Sequence, residues 1–223
     1  MADVKSFPNW RETTPVRLWE KGMREKGWEI DAVEPRDLMA KRDGSMLFSM
    51  LQVTGRDPSG EKMLPYVFVR GAACVVVPVV RNTDTGEARY LLIRQHRVGS
   101  GDFSLEFPAG MVDGDEDPAA AAARELEEES GMACAAVDLI PLWDKPLYST
   151  PGLSDESIWY YAAHFELDDA AYRALEGGAA GHIEEGEHIT TTLMTYAEAT
   201  PEITSLQPLL AFHLHRLRFG DLV

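Results

Sequence analysis

The most constraining feature of this chain is a segment at its centre, residues 110–132, in which acidic, glycine and apolar positions have a fixed spacing. The segment holds eight Asp or Glu residues and a single base, Arg124. Asp117 can cap a helix, Pro118 suits the first helical position, and Gly131 is a typical stop signal. The segment therefore predicts a short loop followed by an acidic helix.

Three carboxylates of this helix share one face, because Glu125, Glu128 and Glu129 are spaced i, i+3 and i+4. One interpretation is a solvated acidic surface, since like charges at this spacing repel each other only weakly. The other is a site for a hard cation, Mg²⁺ or Mn²⁺, which takes carboxylate oxygens as ligands. Before any cation binds, we expect the side chains of Glu128 and Glu129 to face solvent.

The chain is strongly acidic. Its 223 residues carry 37 acidic and 21 basic side chains, which gives a formal net charge of −16 at pH 7. A field of this sign repels nucleic acid and anionic lipid, because binding to phosphates depends mainly on Lys and Arg. We therefore expect no nucleic-acid partner and no membrane partner. A small phosphate ester would also be repelled unless a divalent cation intervened.

Apolar runs and cysteines bear on the location of the protein. The longest apolar run, residues 72–80, is shorter than the roughly 20 residues that span a bilayer. The first residues lack the apolar core of a signal peptide. Cys74 and Cys134 form neither a disulfide framework nor a CxxC pair. These features predict a soluble cytoplasmic protein.

Apolar and alternating runs predict strands, with turn residues between them. The predicted strands are 46–54, 62–70, 72–80, 89–96, 103–107, 136–143, 157–166 and 188–194. Further helices are predicted at 168–176 and 203–217, whereas residues 1–45 show no clean periodicity. Pro78 predicts an edge or a bulge in its strand. Strands interspersed with helices indicate an α/β (α+β) fold class.

The spacing within the acidic segment matches a known motif. After Gly110 come five residues, Glu116, seven residues and then the run Arg124-Glu125-Leu126-Glu127-Glu128-Glu129-Ser130-Gly131-Met132. Every position fits the Nudix box, G-x5-E-x7-R-E-U-x-E-E-x-G-U, where U is apolar. Seven fixed identities arise by chance in less than about one chain in ten thousand. On this motif the chain resembles the Nudix hydrolases, which cleave a nucleoside diphosphate linked to another moiety.

The resemblance implies a fold and a metal. The fold is a mixed β-sheet between helices, and the metal is a divalent cation, Mg²⁺ or Mn²⁺. By resemblance the metal ligands are the side chains of Glu125, Glu128 and Glu129 and the carbonyl of Ala109. Glu116 and Arg124 resemble a structural ion pair that orients the helix. The predicted domains are a β-rich N-terminal extension over residues 1–60, expected to form a dimer, and a Nudix domain over residues 61–223.

Flanking segments are similar to the branch that cleaves ADP-ribose and ADP-sugars. They are Leu105-Glu106-Phe107-Pro108-Ala109-Gly110, Ser149-Thr150-Pro151-Gly152-Leu153-Ser154-Asp155-Glu156 and Glu184-Glu185-Gly186-Glu187-His188-Ile189. The resemblance implies a homodimer that hydrolyses ADP-ribose or ADP-glucose to AMP and a sugar phosphate. It also implies five substrate-binding residues, Arg70, Arg97, Glu106, Gly152 and Glu156.

The substrate has alternatives at this point. Leu64-Pro65-Tyr66 stands where the shorter bacterial enzymes of the branch have an arginine-rich strand near adenine. Hydrolysis of a UDP-sugar, GDP-mannose or a dinucleotide polyphosphate therefore stays open, as does a catalytically silent domain that only binds nucleotide. Trp19, Trp28 and Tyr66 are interpreted as core or dimer packing residues rather than as a stack for a base.

The general base is placed by resemblance in the acidic loop near residue 185. Alignment of residues 185–189 with the family loop gives Glu185 as the catalytic glutamate and Glu187 as the next choice. If both were inactive in this role, Glu129 of the box would take it. Away from this site, His213 and His215 are predicted to lie on the surface because of their polar neighbours.

Overall fold

The computed structural model describes residues 9–41, 44–180 and 188–221. Two compact units make up the chain. The segments of unit 1 are Met1–Ala72, Asp113–Asp115 and Leu147–Ile158, and those of unit 2 are Ala73–Val112, Glu116–Pro146 and Trp159–Val223. The domain boundary expected at residue 60 stays a prediction.

Unit 1 combines a helix with a small antiparallel sheet. Helix α1 is Thr14–Glu25, and the strands are β1 (Glu29–Ala40), β2 (Met46–Arg56) and β3 (Tyr66–Val69), in the order β1-β2-β3. A short strand β9 (Leu147–Tyr148) pairs with Ser157 and Ile158, the first residues of strand β10 (Ser157–Leu167). The core lies between helix and sheet around Val16, Leu51 and Val69, none of which is exposed. Residues 1–45 thus contain a helix and a long strand that periodicity did not predict.

Unit 2 is built on a larger mixed sheet. Its strands are β4 (Ala72–Asn82), β5 (Ala88–Arg97), β6 (Asp102–Glu106), β7 (Ala109–Met111), β8 (Ile140–Pro141), β10 (Ser157–Leu167), β11 (Ala179–Ala180) and β12 (Ile189–Met194). The order is β11-β12-β5-β4-β10-β8, with β6 paired to β5 and β7 paired to β4. The helices are α2 (Pro118–Ser130), α3 (Asp169–Ala174), α4 (Tyr196–Ala199) and α5 (Leu206–Phe219). The predicted α/β (α+β) class is confirmed.

Helix α2 forms where the acidic segment predicts it. The Asp117 side chain accepts hydrogen bonds from the N–H groups of Ala119 and Ala120, and Gly131 ends the helix at a φ of +72°. Leu126 is fully buried in a core that includes Leu91 of β5. Burial of one leucine contributes about 1.5–3 kcal/mol. The apolar side of α2 therefore fixes the helix on the sheet and sets the direction of its carboxylates.

Two predictions about strands need correction. The strand expected at 136–143 is a 3₁₀ turn at Ala136–Asp138 followed by only two strand residues, Ile140–Pro141. For Pro78, of the predicted edge or bulge, the edge is wrong, since β4 lies between β5 and β10. The proline is instead between two sets of pairs, because residues 73–75 pair with β7 and residues 79–81 pair with β5. Its missing N–H therefore costs no hydrogen bond in either ladder.

The C-terminal helix corrects a prediction about histidines. His213 is exposed as expected, but His215 is completely buried. Its Nδ1 lies 3.0 Å from the hydroxyl of Tyr90, and its Nε2 lies 3.3 Å from Nε2 of His164. Burial, together with the charge of His164, lowers the pKa of His215 to about 4. His215 is therefore neutral in the folded protein at physiological pH.

Across the residues that the structure describes, no helix is both long enough and apolar enough to cross a bilayer.

Candidate active site

The carboxylates of helix α2 are fixed by close contacts with strand β7. Oε2 of Glu129 accepts a hydrogen bond of 2.8 Å from the backbone N–H of Ala109. Glu125 lies against Gly110 so closely that a Cβ at residue 110 would come 2.0 Å from the Glu125 carboxyl carbon. Glycine is therefore required at that position if Glu125 is to keep its place.

The exposure of these side chains differs from the sequence expectation. Glu129 is buried, with 5% of its surface exposed, rather than facing solvent. The side chains of Glu125 and Glu128 are 14% and 29% exposed. The prediction that Glu128 and Glu129 face solvent is therefore wrong for Glu129, because the packing of α2 on β7 covers that side of the helix. Glu127, at the variable position of the motif, is exposed.

Arg124 is the centre of the charge pairing in this region. Its Nη1 lies 2.7 Å from Oε1 of Glu125 and 3.1 Å from Oε2 of Glu128. Its Nη2 lies 3.3 Å from Oε2 of Glu116 and donates a hydrogen bond of 3.2 Å to the carbonyl of Met111. Burial lowers the pKa of Arg124, but the hydrogen bonds and charges of Glu116 and Glu125 outweigh it, so the pKa lies above its ordinary value. Arg124 thus stays charged and reduces the repulsion between the carboxylates.

Glu125, Glu128 and Glu129 supply the oxygen ligands that a hard cation prefers, but in this structure their carboxylates bind other groups of the protein. Within residues 9–41, 44–180 and 188–221, no three His, Cys, Asp or Glu side chains converge closely enough to hold a metal ion. The reason lies in their hydrogen bonds, since Glu125 and Glu128 turn toward Arg124 and Glu129 turns toward the N–H of Ala109. Three carboxylate groups on one helix face fit Mg²⁺ or Mn²⁺ in donor type. Binding of a cation would require some of these hydrogen bonds to change.

Two of the predicted substrate-binding residues form an ion pair across strands β5 and β6. Nε and Nη2 of Arg97 lie 2.9 Å and 2.8 Å from the two carboxylate oxygens of Glu106. Burial raises the pKa of Glu106, but the hydrogen bonds and the charge of Arg97 outweigh it and hold the pKa below its ordinary value. Glu106 is therefore ionised, and the pair presents a fixed polar surface on unit 2.

The other three predicted substrate-binding residues belong to unit 1. Arg70 follows β3, and its Nη1 lies 3.0 Å from Oε1 of Glu156. Ser149 donates a hydrogen bond of 2.6 Å to the other oxygen of Glu156. Gly152 lies in the loop between Ser149 and Glu156, at the wall of a cavity.

Asp155 was not selected from the sequence but holds this loop in place. Its Oδ1 accepts hydrogen bonds from the N–H groups of Arg70, at 2.8 Å, and Gly71, at 3.2 Å. Burial raises the pKa of Asp155 above its ordinary value, although these two N–H groups oppose the rise. The position adjoins Glu156 in the segment that carried the resemblance, so the signal was present in the sequence.

Unit 1 contains a cavity of about 550 Å³ between helix α1, the β3 region and the loop at 151–157. Its wall includes four aromatic side chains, those of Trp19, Trp28, Tyr66 and Tyr148. Trp19 also packs on the unit 1 core, as expected, whereas Tyr66 is 48% exposed and is not a core residue. Volumes of about 300–1,000 Å³ are typical of small-molecule sites. The cavity is therefore large enough for a ligand with an aromatic ring.

Glu185, the predicted general base, lies outside the described residues, and so do Glu184 and Glu187. The described residues on either side form strands β11 and β12, which pair with each other in antiparallel fashion.

Comparisons with known proteins agree with the motif. The family model described as NUDIX domain matches residues 70–208. Nudix hydrolase 14, chloroplastic, from Arabidopsis thaliana is 30% identical over 226 residues, which cover 96% of this chain and 71% of the relative. An ADP-sugar pyrophosphatase from Mus musculus is 37% identical over 98 residues, which cover 44% of this chain and 43% of the relative.

A likeness in fold extends over most of the molecule. The crystal structure of an ADP compounds hydrolase superposes with a TM-score of 0.57 at 21% identity, covering 86% of this chain and 93% of the other. The family model matches more than half of the chain, and the Arabidopsis relative matches nearly all of it. The chain therefore belongs to the Nudix hydrolase family and is a pyrophosphohydrolase.

Proposed function

We propose that this protein hydrolyses the pyrophosphate bond of a nucleoside diphosphate sugar, ADP-ribose or ADP-glucose, to AMP and a sugar phosphate. The observation that carries the proposal is the arrangement of Glu125, Glu128 and Glu129 on one face of α2. That face is set against β7 by the glycine contact of Glu125 and by the hydrogen bond from Ala109 to Glu129. The names of the mouse relative and of the superposed structure support an adenine nucleotide as the substrate class.

Nudix hydrolases generally use a divalent metal ion. In this chain Glu125, Glu128, Glu129 and the carbonyl of Ala109 would hold Mg²⁺ or Mn²⁺. Such an ion neutralises charge on phosphoryl oxygens and promotes ionisation of water. Arg124 reduces the repulsion among these carboxylates, since it neutralises part of the charge of Glu125 and Glu128. The net charge of −16 opposes the approach of a diphosphate, and a bound cation would reduce that repulsion.

We assign the general base to Glu185, with Glu187 as the second choice. The contacts of Glu129 support this order, because a buried carboxylate that accepts from a backbone N–H is poorly placed to exchange a proton with water. A positioned base contributes about 10²–10⁴-fold to the rate. The Glu185→Gln substitution should therefore lower kcat by about two orders of magnitude with little change in KM.

Arg70, Gly152 and Glu156 in unit 1 and Arg97 and Glu106 in unit 2 are the proposed substrate contacts. The two ion pairs within this set are preformed, Arg70 with Glu156 and Arg97 with Glu106. A preformed polar group loses little side-chain entropy when a ligand binds, which favours affinity.

A panel of nucleotide sugars tests the function directly. The purified protein should release AMP from ADP-ribose or ADP-glucose in the presence of Mg²⁺ or Mn²⁺, and excess EDTA should abolish the release. Turnover of UDP-glucose at least tenfold better would replace the adenine preference while keeping the chemistry. Failure to cleave any member of the panel, GDP-mannose and dinucleotide polyphosphates included, would support a silent binding domain.

We also expect a homodimer in the cytoplasm. Light scattering coupled to size-exclusion chromatography measures the oligomeric state, and a monomer at micromolar concentration would contradict that expectation.

A further inference from the structure

Strand β10 and helix α5 bring two histidine rings together in unit 2. Nε2 of His164 lies 3.3 Å from Nε2 of His215, and the ring centroids are 5.5 Å apart. His215 is completely buried, whereas His164 is exposed. The pair therefore has one member fixed inside the protein and one member that solvent reaches.

The separation of the two Nε2 atoms matches that of two ligands on one metal ion. Zn–N bonds are about 2.0–2.1 Å long, so two imidazoles on a tetrahedral zinc ion have their nitrogens about 3.3 Å apart. In this structure the rings lie nearly end to end. A rotation of the exposed His164 ring would turn both lone pairs toward one ion.

The buried histidine has the partner that a metal ligand requires. Its Nδ1 lies 3.0 Å from the hydroxyl of Tyr90, which is itself completely buried. A hydroxyl accepts as well as donates, so Nδ1–H of His215 can donate to it. Nε2 of His215 then keeps its lone pair, directed at His164. Histidines that bind metals in proteins are commonly held by such a hydrogen bond on the other ring nitrogen.

The charge state of the pair also suits a metal. Burial lowers the pKa of His164 below its ordinary value and, together with the charge of His164, lowers that of His215 to about 4. At pH 7 the neutral form therefore dominates for both rings, and neutral imidazole is the form that binds metal ions.

The charged residues beside the pair leave room for a cation. Arg216 of α5 is balanced by Asp221, whose Oδ1 lies 2.8 Å from Nε of the arginine. Arg218 is exposed, so solvent screens its charge. Glu166, two residues after His164, lies on the same face of β10 and is also exposed. The net charge of −16 favours cations near the protein as a whole.

We propose that Nε2 of His164 and Nε2 of His215 together bind a divalent transition-metal ion of the zinc type, with water in the remaining positions. Within residues 9–41, 44–180 and 188–221 no group of three His, Cys, Asp or Glu could hold a metal ion, so this site has two protein ligands. The inference does not depend on the proposed function. Imidazole nitrogens select Zn²⁺, Ni²⁺ or Cu²⁺, whereas the carboxylates of α2 suit Mg²⁺ or Mn²⁺.

Isothermal titration of the full chain with zinc chloride tests the site. Excess Mg²⁺ is present throughout, to compete for the carboxylates of α2. The wild-type protein should bind one zinc ion with an affinity that falls by at least about tenfold in His164→Gln, which loses a ligand. This variant should fold normally because the side chain is exposed, and its Tm checks that. His213→Gln, on the exposed side of α5, is the matched control and should bind as the wild type does.

Nitrogen NMR of the histidine rings locates the ion independently of affinity. One equivalent of Zn²⁺ should shift the Nε2 resonances of His164 and His215 and leave that of His213 in place. Absence of zinc binding by the wild type would overturn the proposal, and so would wild-type affinity in His164→Gln. Shifts confined to other histidines would overturn it as well, since the ion would then lie elsewhere.

Discussion

The two units present two different kinds of candidate site. In unit 2 the groups are charged, they lie on a helix and on regular strands, and Glu125, Glu128 and Glu129 of α2 each have a defined partner. In unit 1 the site is an aromatic cavity beside a loop, and the ion pair of Arg70 with Glu156 lies next to it. Charge on a rigid scaffold is typical of groups that act on the reacting atoms, whereas apolar cavities mainly select ligands. We therefore expect changes at the α2 carboxylates to alter kcat and changes at the unit 1 cavity to alter KM.

The largest effect is expected at Glu128. Replacement by Gln keeps the shape of the side chain but removes a charge that the proposed cation needs. The loss of several kcal/mol of transition-state stabilisation corresponds to a fall in kcat of roughly 10²–10⁴-fold. AMP release at saturating Mg²⁺ measures the effect. Glu127→Gln, one residue earlier on the exposed side of α2, is the matched control and should keep normal kcat.

If the two variants do not differ in this way, the proposal that unit 2 carries the reacting groups loses its support. Normal turnover in Glu128→Gln, or a similar loss in Glu127→Gln, would show that the helix carries no specific carboxylate site.

The next effect is expected at Gly110. Alanine there would place its Cβ 2.0 Å from the carboxyl carbon of Glu125, so Glu125 would have to move. We expect kcat to fall by about 10²-fold, because small displacements of positioned groups are costly to catalysis. The free energy of unfolding should decrease by about 1–3 kcal/mol through overpacking. Gly99→Ala is the control, since a Cβ at Gly99 meets no atom within 4 Å.

Circular dichroism and thermal melting would separate the fall in kcat from the loss of stability. A folded Gly110→Ala protein with full activity would show that the position of Glu125 does not matter.

Local signals explain which parts of the fold could be predicted. Helix α2 was predictable because its cap, its stop and its carboxylate spacing are all contained in one segment. Strand β1 was not, because register shifts beside Ile30, Pro35 and Met39 break the two-residue alternation that marks a strand. Helix α1 did carry a signal, since Val16, Trp19 and Met23 are spaced i, i+3 and i+7 and pack on one core.

The candidate site divides in the same way. The presence of three carboxylates on one face followed from helical spacing alone. The burial of Glu129 and the turn of Glu125 toward Arg124 did not, because they depend on contacts between α2 and β7. Asp155 holds its loop through hydrogen bonds from Arg70 and Gly71, which are more than 80 residues away in the sequence, and no local pattern records such a contact.

A smaller effect is a dependence of stability on pH, which we expect in unit 2 and not in unit 1. The sequence places all six histidines in segments of unit 2. Burial, with the charge of His164, lowers the pKa of His215 from an ordinary value of 6.5 to about 4. Between these values the unfolded chain binds a proton that the folded chain does not, so stability falls as pH decreases from 6.5 toward 4. The effect fades above pH 6.5, as the histidine of the unfolded chain also loses its proton.

Hydrogen exchange at pH 7.5 and pH 5.5, corrected for intrinsic rates, locates this loss. Amides of α5 should lose protection at pH 5.5, and amides of β1 and β2 should not. His215→Asn should weaken the pH dependence of Tm, whereas His213→Gln, on the exposed side of α5, should leave it as in the wild type. Equal loss of protection in both units would contradict the assignment to His215.

The smallest effect is expected in the unit 1 cavity, where Trp28 forms part of the wall. If the cavity holds the base, Trp28→Leu removes an aromatic face, and stacking of a base on an aromatic ring contributes about 1–3 kcal/mol. KM for ADP-glucose should rise about fivefold or more, while kcat stays near the wild-type value because the reacting atoms are elsewhere. Trp143→Leu is the matched control, since Trp143 is 39% exposed in unit 2 and lines no part of this cavity. The ratio of KM values for ADP-glucose and UDP-glucose sharpens the test, because loss of a stack should weaken the purine nucleotide more than the pyrimidine one. A fall in kcat at constant KM would instead assign unit 1 a part in the chemistry, and the division of roles between the two units would then be wrong.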